Sequence, residues 1–200
     1  LGKTEDVSLE MPIEEDNYVI ALEWGESLGA DILSSSIGYI DWYSQNDLDG
    51  STAVITQAVN IAIELGMVVV TAVGNSGATG IVAPADAFDV ISCGAVDDTG
   101  IISTFSSQGP TADGRIKPEV CAQGNGTFSA TAFSATSYGS GIGTSLAAPL
   151  ISGACALLLE AHPDWTPSQI RNALLNTADQ SDTPNNTYGW GIIDAVAALN

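Results

Sequence analysis

The segment Gly143-Thr144-Ser145-Leu146-Ala147-Ala148-Pro149 puts a hydroxyl where a long apolar run begins. A serine at a helix amino terminus can become a nucleophile, because the terminus favours developing negative charge and the alanines keep the first turn narrow. The same position also suits a plain N-cap, which serine supplies far more often. A second segment, Val73-Gly74-Asn75-Ser76-Gly77, closes a hydrophobic run. It falls at the carboxyl end of an expected strand, where open α/β sheets bind their ligands. Asn75 could serve there as a left-handed turn residue. A carboxamide between two glycines is also what an oxyanion hole uses, since its NH2 donates and the glycines let a substrate come close. Ser145 and Asn75 are the candidate catalytic residues, and the two motifs in this order carry more weight than either alone.

A serine nucleophile needs a base within about 3 Å of its proton. The chain has one histidine, His162, about 17 residues beyond Ser145 on what reads as the same helix. At ~1.5 Å of rise per residue the two side chains would sit roughly 25 Å apart. His162 is expected instead to close that helix, as a hydrogen-bonding or cationic group near its carboxyl terminus. If Ser145 is a nucleophile, its base lies outside these 200 residues.

The elements that would position these groups alternate between helix and strand. Tyr18, Ala21, Leu22 and Leu28 follow helical spacing over Asp16 to Gly29, behind the acidic group Glu14-Glu15-Asp16. Asp31 to Ile37 reads as a short strand, followed by an aperiodic excursion to Gly50 that contains Tyr39, Trp42 and Tyr43. These aromatics would either cover a cleft or anchor a long loop. A helix from Ser51 or Thr52 shows Val54, Ala58, Ile61 and Leu65 on one stripe and stops at Gly66. Met67 to Val73 is then a continuous β-branched run, the mark of a strand buried on both faces. Val90 to Val96 and Pro118 to Cys121 add two strands, and the alternation argues for an α/β fold, a parallel sheet flanked by helices on both faces. The glycine- and hydroxyl-rich stretch from Ser137 to Thr144 reads as a flexible approach to Ser145. The helix from Ser145 to about His162, apolar nearly all round, is expected to be buried. A last helix from Pro167 to about Asn176 has a capping box, Thr166 with Gln169.

Composition bounds the partners. With 45% hydrophobic residues and a mean hydropathy of +0.22, the chain suits one globular domain. The longest apolar run, Leu146 to Leu159, is interrupted by Pro149, Ser152 and Gly153 and falls short of the ~20 residues of a membrane span. A net charge of -20 repels phosphate backbones and anionic lipid, so neither nucleic acid nor membrane is an expected partner. It favours solubility and cationic substrates. Cys93, Cys121 and Cys155 sit among apolar or small neighbours and read as buried hydrophobes, a Cys93–Cys121 disulfide remaining open. Asp47-Leu48-Asp49-Gly50 sets two carboxylates beside a turn glycine, which leaves a structural calcium ion open, although an EF-hand would need more ligands.

Taken together, these segments resemble the subtilisin-like serine proteases, the subtilase or peptidase S8 family. The likeness rests on Ser36-Ile37-Gly38, Thr71 to Gly77, Phe105-Ser106-Ser107-Gln108-Gly109-Pro110, Lys117-Pro118-Glu119-Val120, Gly143 to Pro149 and His162-Pro163-Asp164-Trp165-Thr166. Tyr188 to Ala195 is similar to the family's last turn and helix. The resemblance implies a serine endopeptidase with Ser145 as nucleophile and Asn75 as side-chain oxyanion donor, needing no cofactor for catalysis. It implies that Ser36, Ile37 and Gly38, with Ala72, Val73 and Gly74, line the cleft and pair with the backbone of a peptide or protein substrate. Secretion follows from family habit.

The family's catalytic aspartate and histidine belong to Asp-Thr/Ser-Gly and His-Gly-Thr contexts, and neither occurs here. The chain opens at Leu1 without an initiator methionine, and Leu1-Gly2-Lys3 reads as a strand in progress. Residues 1–200 are therefore expected to be the carboxyl-terminal portion of a single catalytic domain, inactive alone, whose partner is the missing upstream part. Two other classes compete. An α/β-hydrolase esterase needs a G-x-S-x-G elbow after a strand and a later histidine, whereas here alanine fills the last motif position and a polar loop precedes it. A pseudoprotease or peptide-binding module, keeping the cleft without the triad, fits the chain taken literally.

Overall fold

The computed structural model describes residues 10–132 and 134–200, so the strand expected at Leu1 to Lys3 lies outside the described residues. The order of elements is α1 (Pro12–Ser27), β1 (Ile32–Ser35), α2 (Val54–Glu64), β2 (Val68–Ala72), β3 (Ile91–Val96), β4 (Val120–Gln123), β5 (Asn125–Ala130), β6 (Tyr138–Ile142), α3 (Thr144–Ala161), α4 (Pro167–Thr177) and α5 (Ala195–Ala198). Strands β1 to β4 form one parallel sheet in sequential order. The fold is α/β, with helices on both faces of that sheet, as the alternation of patterns predicts.

Strand β2 shows why the sheet has two covered faces. All five of its residues are buried, and they alternate between two cores. Val69, with Val73 just beyond the strand, packs with Tyr18 and Leu22 of α1 and Val59, Ala62 and Ile63 of α2. Val68 and Val70 pack with Ile151, Cys155 and Leu158 of α3. Each fully buried aliphatic side chain contributes roughly 1.5–3 kcal/mol. A polar replacement on either face of β2 would therefore meet an apolar layer.

Helix α1 starts at Pro12, four residues before the expected Asp16, because Met11 serves as N-cap and the Glu14 carboxylate accepts its N–H at 3.0 Å. Glu15 is buried and reaches across to α2, where it accepts the Ile55 N–H at 2.8 Å, as well as Trp42 Nε1 at 3.1 Å and the Tyr43 hydroxyl at 2.9 Å. One carboxylate thus caps α2 and ties down the aromatic excursion. Tyr39 is fully buried and stacks on Trp42, with ring centroids 5.3 Å apart, so these aromatics anchor a loop and do not cover the cleft.

On α2 the buried face is formed by Ile55, Val59, Ala62 and Ile63, with Ala58 packed at its border, while Ile61 and Leu65 of the stripe are 57% and 64% exposed. Two expectations fail here. Helix α3 is buried on one side only: Ile151, Ser152, Ala154, Cys155 and Leu158 are covered, whereas Leu150 and Leu157 are 47% and 53% exposed. At 18 residues and a mean hydropathy of 1.5, α3 could cross a membrane by length and composition, but its contacts make it a core helix laid over the sheet. The stretch before Ser145 is not a free approach. It is β6, paired antiparallel with β5 in a hairpin whose outer face carries Phe128 stacked on Tyr138.

A buried ionic cluster joins β3, β4 and α4. Glu119 accepts hydrogen bonds from Lys117 Nζ at 2.8 Å, Arg171 at 3.0 Å and both the N–H and hydroxyl of Ser92. Burial pushes the Glu119 carboxyl up, but the two cations and the Ser92 donors outweigh it and hold the group below the usual carboxylate range. All three cysteines are free and buried, and burial raises the thiols of Cys121 and Cys155 to about 12. They pack as small hydrophobes, and the disulfide left open in the sequence does not form.

Candidate active site

Helix α3 begins where the sheet's carboxyl edge ends. Gly143 is its N-cap residue with φ 141°, a conformation open to glycine and costly for other residues, and this turn aims the first helical residues into the cleft. At such a terminus the leading N–H groups lack helical acceptors. Thr144 N–H is taken by Asn75 Oδ1 at 2.9 Å, and Leu146 N–H by Gly143 O at 3.0 Å. Between them, the Ser145 N–H has no acceptor among the described residues. It is a free donor beside the serine hydroxyl.

Asn75 follows β2 in a turn held from the side. Gly74 takes φ 115°, its carbonyl accepts Ser107 N–H at 3.0 Å, and Ser107 Oγ accepts Ser76 N–H at 3.0 Å. A Cβ on Gly74 would come within 2.7 Å of that same Ser107 oxygen, so the glycine is required for close approach as well as for φ. Among the described residues no non-glycine residue has positive φ, which removes the left-handed turn reading of Asn75. Its Oδ1 also accepts the Thr144 hydroxyl at 3.0 Å. With the oxygen engaged by Thr144, the carboxamide nitrogen stays close to Gly143: a Cβ built there would lie 3.9 Å from Asn75 Nδ2 and 3.7 Å from Ser145 N. The two donors Asn75 Nδ2 and Ser145 N–H thus border one small space beside the nucleophile candidate, which is the composition of an oxyanion hole.

The cleft, of about 390 Å³, is lined by Ser36, Ile37, Gly38, Ala72, Gly74, Asn75, Val82, Thr144 and Ser145. Five of the six expected wall residues therefore surround the two catalytic candidates. Val73 is the exception. Its side chain is fully buried in the core, its N–H bonds Cys93 O at 3.1 Å, and its carbonyl accepts Val82 N–H at 3.3 Å. It backs the wall and has no free backbone group to offer a substrate strand. Sequence reasoning missed Val82, which abuts both Gly38 and Gly74, and Thr144, which orients Asn75. The only available signal for Thr144 was a hydroxyl next to the nucleophile. Sequence reasoning also gave no role to Ser107, the buttress of the asparagine turn, or to Ser106, whose Oγ accepts the Ala95 N–H of β3 at 3.0 Å.

Ser145 Oγ points at Ser36 O, 3.4 Å away, and the Ser36 hydroxyl donates to Ser145 O at 2.9 Å. No imidazole approaches. His162 is the C-cap residue at the other end of α3, stacked on Trp165 at 3.8 Å with Nε2 3.2 Å from Leu199 O. The remaining candidate, the Asp47–Asp49 turn, uses its carboxylates locally. Asp47 accepts the Ser44 N–H at 2.8 Å, and Asp49 the N–H groups of Ser51 and Thr52, both at 2.8 Å. These donors, the Ser51 N–H foremost, hold the Asp49 carboxyl down at about 2. No group of three or more His, Cys, Asp or Glu able to hold a metal gathers among the described residues.

Comparison with known proteins gives this geometry a context. The family model for the Subtilase family matches residues 6–191. The chain is 35% identical over 177 residues to Subtilisin BL of Lederbergia lenta, covering 88% of this chain and 59% of that protein. It is 38% identical over 186 residues to Subtilisin DY of Bacillus licheniformis, covering 86% of this chain and 64% of that one. Both matches leave more than a third of the relative without a counterpart. Among solved structures, the prenylagaramide maturation protease PagA superposes with a TM-score of 0.78 at 26% identity, over 98% of this chain and 69% of that one.

Proposed function

The chain belongs to the subtilase family, and on that premise we propose that it is the part of a serine endopeptidase that carries the nucleophile and the oxyanion hole. The carrying observation is the pairing of Asn75 and Ser145: a carboxamide whose oxygen is spent on Thr144, facing a serine whose own N–H is free. In this reading Ser145 Oγ attacks the scissile carbonyl carbon of a peptide or protein substrate while its proton passes to an imidazole on the upstream part of the domain. The oxygen that gains the negative charge is held by Asn75 Nδ2 and Ser145 N–H. Collapse of the intermediate breaks the C–N bond, the leaving amine takes the proton back, and water then hydrolyses the acyl-serine. This chemistry needs no cofactor.

The upstream part is itself one of the proposed partners. Among the described residues β1 pairs only with β2, so its other edge is unpaired. Helix α3 lies on the sheet face that β1 contributes to, with Ser152 bonded to Ser34 at 2.8 Å, and its outward side carries the exposed Leu150 and Leu157. An open parallel edge and an uncovered apolar face are what a domain leaves when strands and a helix are removed. Action outside the cell belongs to the same proposal.

The test is hydrolysis of a denatured protein substrate by the complete domain, meaning this chain joined to its upstream segment. The expected result is turnover that Ser145→Ala abolishes. Equal cleavage by the alanine variant, or a folded complete domain that binds peptide without cutting it, would favour the peptide-binding reading.

A further inference from the structure

Inside an α-helix the carbonyl of residue i accepts the N–H of residue i+4. For Ser145 that partner position is 149, and it holds a proline within α3. Proline brings no N–H, and its ring crowds the carbonyl four residues back. The carbonyl of the nucleophile candidate therefore lacks the usual i+4 donor of its own helix. The Ser36 hydroxyl, on the loop after β1, supplies the missing donor, reaching Ser145 O at 2.9 Å.

We propose that Ser36 acts through its side chain as a positioning residue, replacing the helical hydrogen bond that Pro149 removes and fixing the peptide plane of the nucleophile. This goes beyond a wall that offers backbone to substrate, and it rests on the reading of Ser145 as nucleophile. The contact spans the cleft, joining the loop after β1 to the first turn of α3. It holds the Ser145–Leu146 peptide unit, and so the backbone from which Ser145 Oγ projects toward the reacting carbonyl, and small misplacements of reacting groups are costly in rate. Proline at this place keeps the carbonyl from the helix ladder and available to the cleft wall. The pair Ser36 and Pro149 thus works as one device.

The experiment measures kcat and KM of the complete domain on one peptide substrate for the wild type, S36A, P149A and the double variant. S36A is expected to lower kcat about tenfold with KM within about twofold, the pattern of a lost positioning contact. In the P149A background, where residue 149 regains its N–H, the S36A effect is expected to shrink to about twofold or less. A second comparison guards against misfolding: S36T, which keeps the donor, should turn over at least about fivefold faster than its near-isostere S36V. An S36A effect of equal size in both backgrounds, an effect on KM alone, or equal rates for S36T and S36V would overturn the proposal while leaving the protease reading intact. A folded wild type without activity would remove both.

Discussion

Asn75 is oriented entirely by its neighbours. Its oxygen accepts the N–H and the hydroxyl of Thr144, and its turn is buttressed by Ser107, so little freedom remains for the NH2 to leave the cleft. A donor fixed before the reaction starts pays no reorganisation cost as the oxyanion forms. Asn75→Ala in the complete domain should therefore lower kcat by about 10² to 10³ with little change in KM, a magnitude measured on a subtilisin and not obtained from this geometry. Steady-state kinetics on a peptide substrate checks it, and an unchanged kcat would take Asn75 out of the mechanism. The juxtaposition of the two candidates was suggested in the sequence by the pair of motifs taken together, since each alone also suits a cap or a turn. Thr144 and the Ser36 hydroxyl were not legible there, because their roles are hydrogen bonds between residues about 70 and 109 positions apart.

At the level of elements, the strands and helices that carry the site are held together by the Glu119 cluster. Lys117 and Glu119 lie on the approach to and start of β4, Ser92 on β3 and Arg171 on α4. Because the folded carboxyl of Glu119 is held below its ordinary value of 4.5, its contribution is present in full above that pH and is lost as pH falls through the depressed value. Asp86, raised by burial, has the opposite sign, so the comparison must be made with a variant. Denaturant melts of the complete domain at pH 7 and pH 3 should show E119Q destabilised by about 3–5 kcal/mol at pH 7, since Lys117 is left with an uncompensated buried charge. The difference from wild type should narrow at pH 3. A gap that is constant with pH would contradict the assignment. Element types read from periodicity held where the pattern was strong: β2 is a β-branched run, and α4 has its capping box, with Thr166 N–H to Gln169 Oε1 at 2.9 Å. The β5–β6 hairpin was not legible, because its strands are rich in glycine and serine and its paired aromatics face outward. Which side of α2 meets the sheet was not legible, because that helix carries apolar residues on both sides and periodicity alone does not choose between them.

The molecule as a whole is an acidic α/β layer structure, and in the proposed reading its chemistry is shared with an upstream segment. One end of α3 carries a serine, a free backbone donor and an oriented carboxamide, while the sole imidazole caps the other end. Among the described residues one edge of β1 is unpaired and α3 is half covered, and this chain spans 59% of the length of Subtilisin BL. If the proposed activity holds, the charge of -20 favours basic stretches of a substrate, and salt is expected to weaken their capture. Whether the chemistry is shared in this way is decided by the rate at which a fluorophosphonate probe modifies Ser145, followed by mass spectrometry, in the 200-residue chain alone and in the chain joined to its upstream segment. A serine without a base is a poor nucleophile. Rapid modification at Ser145 is expected in the joined protein and none above background in the isolated chain. Equally rapid modification of the isolated chain would contradict this sharing.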